Sequence, residues 1–332
     1  MEILRRSGMD LERWFRANTF HHSQFSDISE LVKLKEEQNL TISVGLPTLN
    51  EAETIAKEIM TIRSMFIDLY PLVDELAVVD SGSTDETRDI AKEYGADVYE
   101  ASDYLPEVGI CYGKGENLWK SLYLLKGDIL LWLDADIKNI SPKFVYGLLG
   151  PLLTNPEIGY VKGFYERPLK IEHIMRPSGG GRVTEILIRP LFNLLLPELS
   201  GLIQPLSGEY AGRREILEQV PFFVGYGVET GLLIDISKKF GLDVIAQIDL
   251  DKRIHRNQRL EALSKMSFGI LQVFLNRTQA LGKLELRDQL SQSMNTIKTK
   301  ERNYYIKTQE LKVVERPPMI TIEAYRKKRG LV

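Results

Sequence analysis

The stretch Ile129-Leu130-Leu131-Trp132-Leu133 runs straight into Asp134-Ala135-Asp136. So short a block of bulky apolar side chains reads as a strand covered on both faces, the mark of a mostly parallel sheet flanked by helices. On an extended chain, side chains two residues apart point the same way. Asp134 and Asp136 therefore converge at the carboxyl end of a strand, the edge at which open α/β sheets take their ligands. Paired carboxylates suit a hard divalent cation, and a cation placed there can hold a diphosphate. An ordinary strand-to-loop turn, where aspartates are common, is the alternative.

The neighbouring sequence repeats the pattern. Residues 42–46 read as a first strand stopped by Pro47, and a helical pattern follows over 51–69. Leu76-Ala77-Val78-Val79 is a second strand ending in Asp80-Ser81-Gly82-Ser83. Ser83 or Thr84 then caps a helix with Asp85 and Glu86 in its first turn, as the helix dipole prefers. A short strand at 97–99 and a helix over 113–126 lead into the acidic strand. The alternation predicts an α/β fold with a mostly parallel, helix-covered sheet. Beyond it come a strand at 159–165, a Gly-rich loop with a helical pattern from Val183, a helix over 228–240 and a strand at 244–248.

Bulk numbers narrow the partners. A net charge of −3 over 332 residues gives no strongly basic nucleic-acid surface, and 43% hydrophobic residues supply a sizeable core. One cysteine, Cys111, excludes an internal disulfide and fits a reducing cytoplasm. The most apolar stretch, 191–206, is interrupted by Pro197, Glu198 and Pro205, so no segment reads as a membrane span.

Other motifs carry chemistry beside a plainer alternative. Leu46-Pro47-Thr48-Leu49-Asn50-Glu51 can cradle a base and ribose, or serve as a turn and helix start. Asp80 and Ser81 stand at the equivalent strand end, where Asp80 can accept from uracil or ribose and Gly82 admits a close backbone approach. Lys114, in Gly113-Lys114-Gly115-Glu116, opens a helix and can neutralise a diphosphate; a solvated lysine is the alternative. Gly179-Gly180-Gly181-Arg182-Val183-Thr184 can form an anion nest with a bidentate arginine, or be a linker. This loop is separate from the diphosphate motifs, so it suggests an anionic second substrate. His255 can be a further metal ligand or a surface histidine, and Glu229 can meet sugar hydroxyls or an oxocarbenium-like centre or be an acid in a first helical turn.

In this order the motifs resemble a known family. The strand-end motifs look like the nucleotide-binding half of a GT-A (Rossmann-like) glycosyltransferase. Pro106-Glu107-Val108, Phe164-Tyr165-Glu166-Arg167-Pro168-Leu169, Gln204-Pro205-Leu206-Ser207-Gly208-Glu209-Tyr210, Gly225-Tyr226-Gly227-Val228-Glu229 and His255-Arg256-Asn257 closely resemble glucosyl-3-phosphoglycerate synthases, retaining enzymes of glucosylglycerate synthesis. The resemblance covers about residues 10–280 and departs in one place: the metal motif is Asp-Ala-Asp, where some relatives carry Ser in the middle.

The resemblance implies Mg²⁺ or Mn²⁺ on Asp136 and His255, and uridine diphosphate among Pro47, Leu49, Glu51, Asp80, Ser81, Lys114, Asp134 and Ala135. Glu229, Lys114 and the Leu206-Ser207 backbone would serve the donor glucose and its departure. Gly180, Gly181, Arg182, Thr184, Tyr226 and Asn257 would bind 3-phosphoglycerate. It also implies a cytoplasmic homodimer making a compatible-solute precursor. The mannosyl relative that uses GDP-mannose, and a catalytically silent sugar-nucleotide-binding protein, remain alternatives. The expected organisation is an N-terminal arm (1–40) with a helix at 28–37, a nucleotide-sugar-binding half (41–160), a smaller acceptor-binding and metal-completing half (161–284), and a polar C-terminal extension (285–332) in which a helix is expected.

Overall fold

The computed structural model describes residues 2–167, 169–171, 174–176, 181–254, 258–300 and 302–331. Its elements in chain order begin with α1 (Glu2–Asn18), β1 (Thr19–His21), α2 (Ile28–Glu37), β2 (Ile42–Thr48), α3 (Ile55–Arg63), β3 (Glu75–Asp80) and α4 (Thr87–Glu93). Then come β4 (Asp97–Glu100), α5 (Lys114–Leu124), β5 (Ile129–Trp132), α6 (Lys143–Thr154), β6 (Tyr160–Glu166), β7 (Leu169–Ile171), β8 (Ile174–Arg176) and α7 (Arg189–Leu195). The remainder is β9 (Tyr210–Arg213), α8 (Arg214–Leu217), β10 (Phe222–Phe223), α9 (Val228–Phe240), β11 (Ile245–Lys252), α10 (Leu260–Ala280), β12 (Ser293–Lys300), β13 (Asn303–Glu310), β14 (Glu315–Arg316) and α11 (Glu323–Lys328).

Eight strands form one sheet in the order β1-β11-β6-β9-β5-β2-β3-β4. All neighbours are parallel except at β9, which runs antiparallel to both β5 and β6. Every residue of β5 is buried, as its unbroken apolar run requires. One core lies under α2, α3 and α6, with Ile59, Phe66, Phe144 and Leu148 fully buried; the opposite face is filled by Trp119, Trp132, Phe192 and Leu233. Each such large side chain contributes on the order of 1.5–3 kcal/mol from burial. Strand order reverses at β2, which has β3 on one side and β5 on the other. That switch point opens a crevice at the carboxyl ends of β2 and β5.

Helices 28–37 and 228–240 fall where the sequence places them. Other elements differ. Pro47 does not stop β2, which continues to Thr48 because the β5 ladder has ended at Gly45↔Trp132 and asks nothing further of the chain there. The 51–69 helix begins at Ile55 and passes into a π turn over Ser64–Leu69. Ser83 and Thr84 do not cap α4; Asp85 Oδ1 accepts from the Thr87 N–H (3.1 Å) instead. The N-terminal arm contributes an edge strand, β1, that its polar, mixed sequence hides. The C-terminal extension holds no helix at its polar stretch but the hairpin β12–β13, fully paired from Ser293↔Glu310 to Lys300↔Asn303. Its Thr, Ile and Tyr residues favour extended chain over helix.

Candidate active site

The crevice is a cavity of about 300 Å³, lined from the β2 side by Pro47 and Glu51, from the β5 side by Asp134, Ala135 and Asp136, and from α5 by Lys114. The second half of the chain closes it with Gly181, Arg182, Thr184, Leu206, Tyr226 and Glu229. Of the expected site residues, these twelve line the crevice together. Gly180, His255 and Asn257 lie outside the described residues.

Four others stand elsewhere. Asp80 is fully buried, and its carboxylate serves its own turn: Oδ1 accepts from Thr48 Oγ1 (3.0 Å), and Oδ2 accepts from the N–H groups of Gly82 (2.8 Å) and Ser83 (2.6 Å). It shapes the loop rather than facing the nucleotide crevice. Ser81 Oγ donates to Asn117 Oδ1 (2.7 Å) and accepts from the Gly113 N–H (3.4 Å), which fixes the start of α5. Leu49 is 53% exposed and outside the lining. Ser207 is buried beneath it, with its carbonyl accepting from Lys162 Nζ at 2.5 Å.

Charge dominates the floor. Lys114 Nζ lies 2.5 Å from Asp134 Oδ1 and 2.9 Å from Glu229 Oε1. Burial alone would pull this lysine down, but the two carboxylates more than offset that and hold it above the usual lysine range. Burial likewise opposes ionisation of Asp134, yet Lys114 and Arg253 keep it well below the usual carboxylate range. Arg253 reaches Asp136 Oδ1 at 2.6 Å and Asp134 Oδ2 at 3.2 Å, and its Nε lies 3.0 Å from Glu209 Oε1 as an ion pair without hydrogen-bond geometry. The Tyr165 hydroxyl donates to Glu209 and accepts from Arg167 (2.9 Å) and Arg253 (3.3 Å). Gly208 makes room for this arrangement: a Cβ there would stand 1.9 Å from Asp134 Oδ2.

Helix α3 holds the acidic loop in place. Thr54 Oγ1 donates to the Ala135 carbonyl (2.5 Å), Lys57 Nζ to the Lys138 carbonyl (2.8 Å), and the Ile137 N–H to Glu58 Oε1 (2.9 Å). Burial pushes the Glu58 carboxyl well up, against the pull of the Ile137 N–H it accepts from.

Of the two expected ligands only Asp136 lies among the described residues, and its setting fits a divalent cation. Burial, with Asp134 adding to it, raises Asp136 despite the guanidinium of Arg253. A doubly charged ion adds to the compensation that Arg253 supplies in part, and Asp136 faces the cavity with its side chain 32% exposed.

Sequence reasoning assigned no role to Arg253, Arg167, Gln258, Lys162 or Glu58. Arg253 and Gln258 flank the His255 segment, so an arginine leaving a strand toward two aspartates was a readable signal. Lys162 and Glu58 carried none, since a charged residue in a strand or helix pattern reads as solvated.

The chain matches the model of glycosyl transferase family 2 over residues 43–221. It is 60% identical over 310 residues, 93% of this chain and 95% of its relative, to glucosyl-3-phosphoglycerate synthase of Petrotoga mobilis. The chain belongs to the glucosyl-3-phosphoglycerate synthase family. The family member from Mycolicibacterium smegmatis is 47% identical over 80% of this chain and 86% of its own. A crystal structure of the Mycobacterium tuberculosis family member, in complex with Mn²⁺, UDP-glucose and phosphoglyceric acid, superposes with a TM-score of 0.78 at 43% identity, covering 91% of this chain and 97% of that one. Mannosyl-3-phosphoglycerate synthase from Rubrobacter xylanophilus superposes with a TM-score of 0.85 at 37% identity, covering 93% and 97%. The GT-A-like glycosyltransferase fold expected of the family is the fold observed.

Proposed function

We propose that this chain transfers glucose from UDP-glucose to the 2-hydroxyl of 3-phosphoglycerate, with retention of configuration. The carrying observation is Lys114, held charged between Asp134 and Glu229 on the floor of a crevice whose other wall presents Arg167 and Arg182. One cationic group serves the donor's diphosphate, and two face a second anion.

Asp136, with His255, would hold Mg²⁺ or Mn²⁺, which when bound stabilises charge on the departing diphosphate. Lys114 neutralises the same charge from the helix side as it develops. Arg182, Gly181 and Thr184 orient the acceptor by its phosphate, so that its 2-hydroxyl stands on the face from which the diphosphate leaves. The bond from glucose C1 to the diphosphate oxygen breaks, the bond from C1 to the acceptor oxygen forms, and the hydroxyl proton passes to a donor phosphate oxygen. Glu229, paired with Lys114, stands beside the sugar and steadies the positive charge that gathers at C1.

Incubating the protein with Mg²⁺, UDP-glucose and 3-phosphoglycerate is expected to release UDP, and leaving out the acceptor is expected to stop it. GDP-mannose in the same assay tests the mannosyl reaction; faster turnover with that donor would replace the glucosyl reading. No release with either donor, together with UDP binding, would favour a silent binding protein. The exposed Ile297, Tyr304 and Ile306 on the β12–β13 hairpin support a second copy of this chain as its cover, and light scattering reads that directly. The single Cys111 supports a reducing, cytoplasmic setting, and glucosylglycerate synthesis for a compatible solute is the pathway role we propose.

A further inference from the structure

Two of the chain's four histidines stand outside the crevice, at the last strands of the same carboxyl edge of the sheet. The register Thr19↔Gln247 to His21↔Asp249 carries the end of β1 alongside the end of β11. There His21 Nε2 lies 3.1 Å from Asp251 Oδ1 and His22 Nε2 lies 2.7 Å from Asp251 Oδ2. Ligand atoms from all three residues fall within 4.8 Å of one another. We propose that His21, His22 and Asp251 form a second divalent-cation site, of the nitrogen-preferring zinc class.

The far sides of both imidazoles are already engaged. His21 Nδ1 is 2.7 Å from Ser23 Oγ, and His22 Nδ1 is 2.9 Å from the Tyr146 hydroxyl. Each Nε2–H donates to an Asp251 oxygen, and His21 Nδ1 accepts from the Ser23 N–H (3.3 Å). A bound ion takes the place of the two Nε2 protons, after which the Ser23 and Tyr146 hydroxyls can accept from Nδ1–H and orient each ring from behind. Asp251 sits at φ 59°, a left-handed conformation that aspartate tolerates, and its N–H donates to Asp249 Oδ1 at 2.8 Å. That turn is what aims its carboxylate at the histidines. Lys143 Nζ at 2.8 Å and both histidines hold this carboxyl well below the usual range, so it is anionic at neutral pH. Lys143 occupies a cation's place on Asp251 Oδ2, and binding requires that its ammonium swing aside.

Two imidazole nitrogens and one carboxylate select Zn²⁺, Co²⁺ or Ni²⁺ over Mg²⁺, with water in the fourth position of a tetrahedron. His21 and Asp251 are 45% and 47% exposed at their side chains, so an ion can enter. Occupancy would also brace the crevice. Just past Asp251, the Lys252 carbonyl accepts from Asn139 Nδ2 (2.7 Å), the Ile254 N–H donates to Asn139 Oδ1 (2.7 Å), and the Ile254 carbonyl accepts from the Lys138 N–H (3.0 Å). The exit of β11 is thus stitched to the loop that follows Asp136.

The test is a Zn²⁺ titration by calorimetry, and a Co²⁺ titration by visible absorption, on the full chain in excess Mg²⁺. The expected result is one equivalent with a tetrahedral Co²⁺ band that survives in His255→Gln, disappears in His22→Gln and in His21→Gln, and weakens roughly tenfold or more in Tyr146→Phe. Zn²⁺ should raise the melting temperature of the parent and of His255→Gln, and leave His21→Gln unmoved. His21 is half exposed, so its variant keeps the test open if His22→Gln fails to fold. Zn²⁺ binding that is the same in the parent, His21→Gln and His22→Gln, or no tetrahedral Co²⁺ equivalent in His255→Gln, would overturn the proposal.

Discussion

On the donor side of the crevice, α3 grips the acidic loop with three bonds, and Lys114 is locked between two carboxylates. Across from it, half-buried Arg182 reaches the Gln258 carbonyl at 2.9 Å from a loop turned by Gly181 at φ 79°, and Tyr226 is 54% exposed. The donor wall is a buried charge cage whose members fix one another. The acceptor wall presents its groups from loops, with fewer mutual constraints. On the proposed assignment, charge that must meet a developing transition state is pre-organised, while the wall that would capture the second substrate is left to close around it.

The sharpest way to break this contrast is Asp136→Ala. Metal-dependent turnover is expected to fall by ~10³-fold or more, with a lower melting temperature because buried Arg253 loses one of its carboxylate partners. UDP release across a Mg²⁺ titration reads it, and retention of full metal-dependent activity would remove Asp136 from the metal site. Next in size is Arg182→Ala, expected to raise the KM for 3-phosphoglycerate roughly 10–100-fold, as loss of charge-assisted bonds implies. The KM for UDP-glucose should stay within about twofold, since donor contacts lie on the opposite wall. Equal rises in both constants would erase the distinction between the walls.

Glu58 sharpens it further. Leucine there strands the Ile137 N–H at a cost of about 1–3 kcal/mol, so roughly tenfold weaker metal activation is expected. Glu58→Gln keeps an acceptor for that N–H, and should behave like the parent. A glutamine variant as impaired as leucine would show that the charge of Glu58 matters, contrary to its burial. The smallest effect concerns Lys162, which burial pulls down to about 7. Between that value and the unfolded value near 10.4, the unfolded chain binds the extra proton, so stability rises with pH by up to ~1.4 kcal/mol per unit. Lys162→Met should remove this rise in denaturant midpoints measured at pH 7, 8 and 9.

How far the sequence could be read follows the same divide. Ile129 to Leu133 and Leu76 to Val79 are apolar runs with no competing period; the second lies wholly in a strand and the first forms one up to Trp132. The motifs at their ends named Lys114, Asp134 and Asp136 correctly as neighbours of one cavity. Asp80 is harder to read, because a strand-end aspartate has two outlets, ligand or its own turn, and its carboxylate is engaged by Gly82 and Ser83. Arg253 was hidden because its partners lie 117 and 119 residues away, and no local pattern reports so long a contact. The hairpin at 293–310 was missed for the opposite reason: its ladder is local, but its exposed faces lack the buried alternation that marks a strand.

The pairing of β1 with β11 also sets an order of events at the ribosome. Trp14 donates to the Ile245 carbonyl across 231 residues, and Asn18 reaches the same carbonyl. At ~5–20 residues/s that partner emerges roughly 12–46 s after the tryptophan. For all that time Trp14 lacks its hydrogen-bond partner and β1 its neighbour strand, so a segment made early docks late. A chaperone that holds aromatic N-terminal segments would find its substrate in that interval, and shortening the wait by circular permutation would speed the arrival of the native state without touching the crevice.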